Sequence, residues 1–191
     1  MNPGDKLMKA FLFVIALAVA AQATDVDLEW RLMANTAIHP GDNVQVGLYA
    51  VAREPVRIGT MDVIVFWNAD VLALTGVDDQ GPYDWYYSGF RDDHLADGLN
   101  DTWKDGNGYY KAWGRIGGLP RAVPKGFLIT VVELTALTPG ECRIEIVAEY
   151  GEGSETAVWG GEIPGINIVG VMGDIIVTVE PSKPVKESVT T

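Results

Sequence analysis

Oxygen ligands and aromatic rings crowd one stretch of this sequence. Asp92, Asp93, Asp97, Asn100, Asp101, Asp105 and Asn107 lie close together along the chain. Hard carboxylate and amide oxygens at such density suit calcium, and Asp93, Asp97, Asp101, Asp105 and Asn107 are the candidate ligands. The spacing is not that of an EF-hand, because Trp103 stands at a ligand position and no glutamate closes the loop. Asp, Asn and Gly are also what turns require, so a solvated loop is the competing reading. Tyr83, Trp85, Tyr86, Tyr87, Trp103 and Trp113 supply the second kind of chemistry. Rings exposed in a row can stack on the faces of pyranose sugars. Rings in a long excursion also serve to anchor it to the body of the protein.

Catalytic and redox chemistry finds less support. Glu133, Glu145, Glu149, Glu152, Glu155 and Glu162 offer carboxylates. A glycosidase needs two of them facing each other across a cleft, and acidic faces are usually just solvated. No phosphate-binding loop, nucleophile elbow or metalloprotease helix is present, so no enzymatic function is expected. His39 and His94 lie far apart, and His39 sits in a turn before Pro40. The one cysteine, Cys142, excludes an intramolecular disulfide and a thiolate zinc cluster.

The charge balance narrows the partners. The chain of 191 residues has 26 acidic against 14 basic side chains, a net charge of −12. A nucleic-acid binder needs a basic footprint, which is missing. The same acidity argues against docking on anionic membranes. Residues 10–21, AFLFVIALAVAA, come after Lys6 and Lys9 and lead into Ala21-Gln22-Ala23. A short basic region, an apolar run and an A-x-A site describe a secretory signal peptide. The run is too short to span a membrane. Residues 1–23 are therefore read as a signal peptide, 24–180 as one domain and 181–191, PSKPVKESVTT, as a disordered tail. These features imply a secreted protein, extracellular or at a bacterial cell surface, with no membrane attachment after cleavage.

The elements that position these residues read as strands. Val44 to Val51 alternates, with Val44, Val46, Leu48 and Ala50 inward, after the turn signal His39-Pro40-Gly41-Asp42-Asn43. An earlier strand covers 26–33. Thr60 to Trp67 is rich in β-branched and aromatic residues; Asn68-Ala69-Asp70 turns the chain and Val71 to Val77 returns it. Phe127 to Leu137 is long and apolar on both parities. Thr138-Pro139-Gly140 ends it and leads as a hairpin to a strand with Cys142, Ile144, Ile146 and Ala148 on its core face. Two more strands are expected over Ile163–Val171 and Gly173–Glu180. The pattern is an all-β chain, an antiparallel sandwich. Its exception is a long excursion at 78–118, in which 107–117 reads as one or two helical turns.

Ile38-His-Pro-Gly-Asp-Asn-Val-Gln-Val-Gly-Leu-Tyr49 and Ile58-Gly-Thr-Met-Asp-Val-Ile-Val-Phe-Trp-Asn-Ala-Asp-Val-Leu-Ala-Leu-Thr-Gly-Val77 together resemble the bacterial cohesin module. Its relatives include cellulose-binding modules of the same sandwich superfamily. Gly126 to Val131, the stretch from Leu137 to Ile144 and Gly173 to Val179 resemble its later strands. The resemblance implies a jelly-roll sandwich of about nine strands. It also implies a calcium-loaded dockerin as partner, bound through one sheet face in the assembly of polysaccharide-degrading enzymes. On that face the family carries an Asn-x-Asp pair. Asp62 matches the aspartate, and Thr60 stands where the asparagine would be.

Parity along 60–67 supports a binding face independently. Met61, Val63, Val65 and Trp67 share one side; Thr60, Asp62, Ile64 and Phe66 share the other. Apolar Ile64 and Phe66 beside Thr60 and Asp62 on an outer face describe a partner surface, unless the 78–118 excursion covers it. A polysaccharide-binding module using the aromatics of 83–113 is the alternative, and a structural surface or coat subunit a further one. Export should leave a chain beginning at Thr24, which intact-mass measurement of secreted material checks; a retained N-terminus in a membrane fraction contradicts it.

Overall fold

The computed structural model describes residues 25–34, 37–78, 85–91, 98–99, 105–114, 120–160 and 165–182. The expected signal peptide and most of the expected tail lie outside these residues. The strands are β1 (Val26–Leu32), β2 (Asn43–Ala52), β3 (Val56–Phe66), β4 (Leu72–Asp78), β5 (Trp85–Phe90), β6 (Asn107–Gly114), β7 (Arg121–Ala122), β8 (Phe127–Ala136), β9 (Gly140–Val147), β10 (Glu149–Tyr150), β11 (Ser154–Glu155), β12 (Ala157–Gly160), β13 (Val169–Met172) and β14 (Asp174–Val179). Nine of them have six residues or more. No helix occurs among the described residues.

Two sheets enclose one core. The first runs β13-β1-β2-β8-β4; the second runs β14-β9-β3-β6-β5, with β12 and β7 also paired to β3. All strand pairings are antiparallel except β1 with β13. Val26, Leu28, Val46, Leu48, Leu72, Ile129 and Leu134 from the first sheet meet Met61, Val63, Val65, Tyr110, Cys142, Ile144 and Val177 from the second. The alternation read from the sequence thus places its inward set in this core. Trp85 fastens the two layers, donating its indole N–H to the Ile129 carbonyl at 3.3 Å.

Three local expectations are corrected. Residues 107–114 form β6 rather than helical turns. Gly108, Tyr110 and Ala112 lie opposite Val65, Val63 and Met61 and face the core, while Tyr109, Lys111 and Trp113 face out. That is a period of two, and Tyr and Trp favour it. The turns at 68–70 and 138–140 do not make hairpins. β3 and β4 lie in different sheets, as do β8 and β9, so each turn carries the chain across the sandwich. The two crossings are tied together: Leu137 N–H donates to Val71 O at 2.8 Å, Thr138 Oγ1 to Asp70 O at 2.7 Å, and Asn68 N–H to Cys142 Sγ at 3.3 Å. Burial raises the pKa of the Cys142 thiol, and the hydrogen bond from Asn68 opposes that rise. Finally, in the described part of the strand expected over 163–171, from Gly165 on, pairing as a strand starts at Val169, and Asn167 makes a single bridge to Trp159.

β3 has 11 residues, more than any neighbour can pair on one edge. β12 takes Ile58 to Asp62 and β9 takes Ile64 to Phe66. Between them the chain leaves β9, forms the small β10–β11 hairpin and returns through Thr156. The buried Thr156 hydroxyl accepts the Ile64 N–H at 3.0 Å and donates to Val147 O at 2.6 Å. Its own N–H reaches Ala148 O at 2.8 Å. One side chain therefore fills the gap in the ladder. Thr156→Val should lose about 2–4 kcal/mol, because it strands two buried backbone groups. Thr156→Ser, which keeps the hydroxyl and drops a methyl, should lose under about 1.5 kcal/mol. Urea unfolding of the two variants measures the difference.

Candidate functional site

The outer face of the second sheet gathers the four β3 candidates together with Tyr87 and Trp113. Pairing places Thr60, Asp62, Ile64 and Phe66 of β3 opposite Trp113, Lys111, Tyr109 and Asn107 of β6. On the other edge Trp159 and Ala157 of β12 lie opposite Thr60 and Asp62, and Val147 and Glu145 of β9 lie opposite Ile64 and Phe66. Tyr87 of β5 continues the row beyond Trp113. The four expected β3 residues do share one face. They do not share one environment.

The face divides into three zones along β3. At one end, Tyr87 and Trp113 pack with ring centroids 5.2 Å apart and planes inclined by 41°. They remain 36% and 41% exposed, and Tyr86, in the β5 bulge beside them, is 74% exposed. In the middle, Lys111 Nζ lies 3.1 Å from Asp62 Oδ1 and 4.7 Å from the centroid of the Tyr109 ring. Asp62 is thus matched to a cation on the adjacent strand. At the far end Phe66 packs on Tyr150 of β10, with centroids 5.1 Å apart and planes inclined by 55°. Beyond it Arg143 is paired to Asp174 and Glu145, and Ile176 is exposed.

Parity left open whether the excursion covers this face, and at Ile64 it does. Ile64 is 0% exposed and forms a small apolar cluster with Leu99 and Tyr109, flanked by Phe66 and Val147. Leu99, from the excursion, is itself fully buried there. An outward isoleucine on a bare sheet would cost apolar hydration, and a leucine from elsewhere in the chain relieves it. Leu99 therefore covers the centre of the face, while Tyr87 and Trp113 at one end and Tyr150 at the other stay exposed.

The other candidates separate. Trp85 points into the core and cannot stack on a ligand, a consequence of the bulge that puts it out of step with Tyr87. Tyr83 and Trp103 lie outside the described residues, as do Asp93, Asp97 and Asp101 of the calcium set. Asp105 is exposed and Asn107 buried. Among the described residues no three His, Cys, Asp or Glu side chains come together as a metal site. Tyr150, Trp159, Lys111 and Ile176 join the face without having been singled out. Tyr150 lies in a Gly- and Glu-rich stretch, 149–155, with no alternation to mark its face. Trp159 carried the clearest clue, alternating with core-facing Val158.

The sandwich has counterparts among solved structures, although no family profile and no curated protein matches the sequence. A cohesin module from the family 33 glycoside hydrolase of Clostridium perfringens is similar with a TM-score of 0.59 at 11% identity, covering 84% of this chain and 100% of that one. A type I cohesin–dockerin complex from Clostridium thermocellum matches at 0.55 and 12% identity, covering 85% of this chain and 99% of that one. A non-cellulosomal cohesin from the archaeon Archaeoglobus fulgidus matches at 0.50 and 9% identity, covering 80% and 89%. The fold is a cohesin-like β-sandwich.

Leu99→Ala should cost about 2–5 kcal/mol, the range for emptying a buried leucine site. Ile176→Ala, on the same face but exposed, should stay within about 0.5 kcal/mol. Denaturant midpoints of both variants test whether the outer cluster carries stability.

Proposed function

We propose that the protein is a secreted, non-enzymatic binding module that recognises a protein partner of dockerin type through the outer face of its second sheet. The observation that supports this reading most is the exposed Tyr150, packed on the half-buried Phe66 at one end of that face, on a cohesin-like sandwich. Aromatic anchors ringed by polar groups are where binding energy concentrates. The N-terminal sequence supports export, and the excess of acidic residues argues against nucleic acid as the partner. A role in assembling extracellular polysaccharide-degrading enzymes accords with this reading.

The face also departs from ordinary dockerin recognition. Thr60 replaces the asparagine of the family pair, and Asp62 is already engaged by Lys111 at 3.1 Å. Leu99 occupies the centre. A partner must therefore take its grip from the ends of the face, and the Phe66–Tyr150 end carries the protein contact. Calcium-loaded type I dockerin modules, titrated calorimetrically into the exported chain, provide the test. At least one should bind. Tyr150→Ala, 37% exposed in the wild type, should weaken it by about 2 kcal/mol or more, as hot-spot truncation does. Its melting temperature should stay near that of the wild type. Absence of binding across the panel, or binding indifferent to Tyr150, overturns the reading.

A further inference from the structure

The other end of the face has a chemistry of its own. Tyr87, Trp113, Thr60 and Trp159 are register neighbours across β5, β6, β3 and β12, so they form a row perpendicular to the strands. Three strand spacings make the row about 14 Å long. Tyr86 extends it at the bulge. We propose that this row binds a single chain of a neutral polysaccharide.

Four observations point to that ligand. First, three of the four positions are aromatic. Tyr87 and Trp113 each keep more than a third of their surface open, and such ring faces match the apolar C–H faces of pyranose units. Second, these exposed rings carry polar groups at their edges, the Tyr86 and Tyr87 hydroxyls and the Trp113 indole N–H. A purely apolar partner would leave those groups desolvated and unpaired, whereas a sugar offers hydroxyls at the rim of each ring. Third, the ring planes of Tyr87 and Trp113 are inclined by 41°, which makes this pair a twisted row rather than a flat shelf. A twisted row follows a free chain and mismatches the plane of a crystalline surface. Fourth, the charges that flank the row on β3 and β6, Asp62 and Lys111, neutralise each other. With a net charge of −12 on the whole chain, polyanionic glycans are repelled, which leaves neutral ones.

The site is distinct from the Phe66–Tyr150 end, and the two readings stand or fall separately. Native electrophoresis of the exported chain through gels containing hydroxyethyl cellulose, xyloglucan or xylan, with polygalacturonate as the charged comparison, tests the proposal. At least one neutral polymer should retard the protein. Trp113→Ala should weaken that retardation tenfold or more with an unchanged melting temperature, and Tyr150→Ala should leave it intact. Tyr86→Ala is the second variant, since the high exposure of that ring makes it safe for folding, and it should weaken retardation severalfold. The proposal is overturned by failure of every neutral polymer to retard the protein. Retardation confined to polygalacturonate, or insensitive to both Trp113 and Tyr86, overturns it equally.

Discussion

A strand of eleven residues at the centre of a sheet carries backbone donors and acceptors along both edges, and each must find a partner out of water. β6 satisfies one edge of β3 from Thr60 to Phe66, and β7 pairs its first residues. The opposite edge is divided between β12 and β9, and the join is closed by the Thr156 hydroxyl. That division forces the chain to leave the sheet after Val147 and to return at Ala157. The detour creates the β10–β11 hairpin and lifts Tyr150 onto the face beside Phe66.

The same strand also creates a problem on its outer side. Ile64, at the point where the edge changes partner, faces away from the core yet is apolar. Leu99 and Tyr109 remove it from water. The face is thereby split into an aromatic end and a Phe66–Tyr150 end separated by a covered centre and the Asp62–Lys111 pair. One long strand thus determines the hydrogen-bond architecture, the placement of the hairpin and the division of the surface into two.

The inward set of β2, β3 and β9 was legible in the sequence, because apolar residues there alternate with polar ones and the core takes one parity. What escaped it was set by distant partners. Thr138-Pro139-Gly140 has the chemistry of a tight turn, and that chemistry is the same whether the chain turns back in its own sheet or crosses to the other. The sequence of β6 has aromatic residues on both parities, since Tyr110 packs in the core and Tyr109 in the outer cluster; its period was masked for that reason. Burial of Ile64 depends on Leu99, remote in sequence, so parity alone named the correct face and left its exposure open. Trp85 looks in sequence like its neighbours Tyr86 and Tyr87, and the bulge that turns it inward leaves no mark in composition.

The parallel pairing of β1 with β13 has a mechanical meaning. Val26 is held at its start by Ile168 O, and Gly173 N–H returns to Leu28 O. Ile38, past the end of β1, runs parallel to Val179, whose successor Glu180 donates to Ile38 O. The first and last strands therefore point the same way, and the chain enters the domain at one end and departs from it at the other. Tension between those ends acts along the strands. It shears the bonds of β1 to β2 and β13 as a group, rather than peeling them off one after another, and so meets many hydrogen bonds at once.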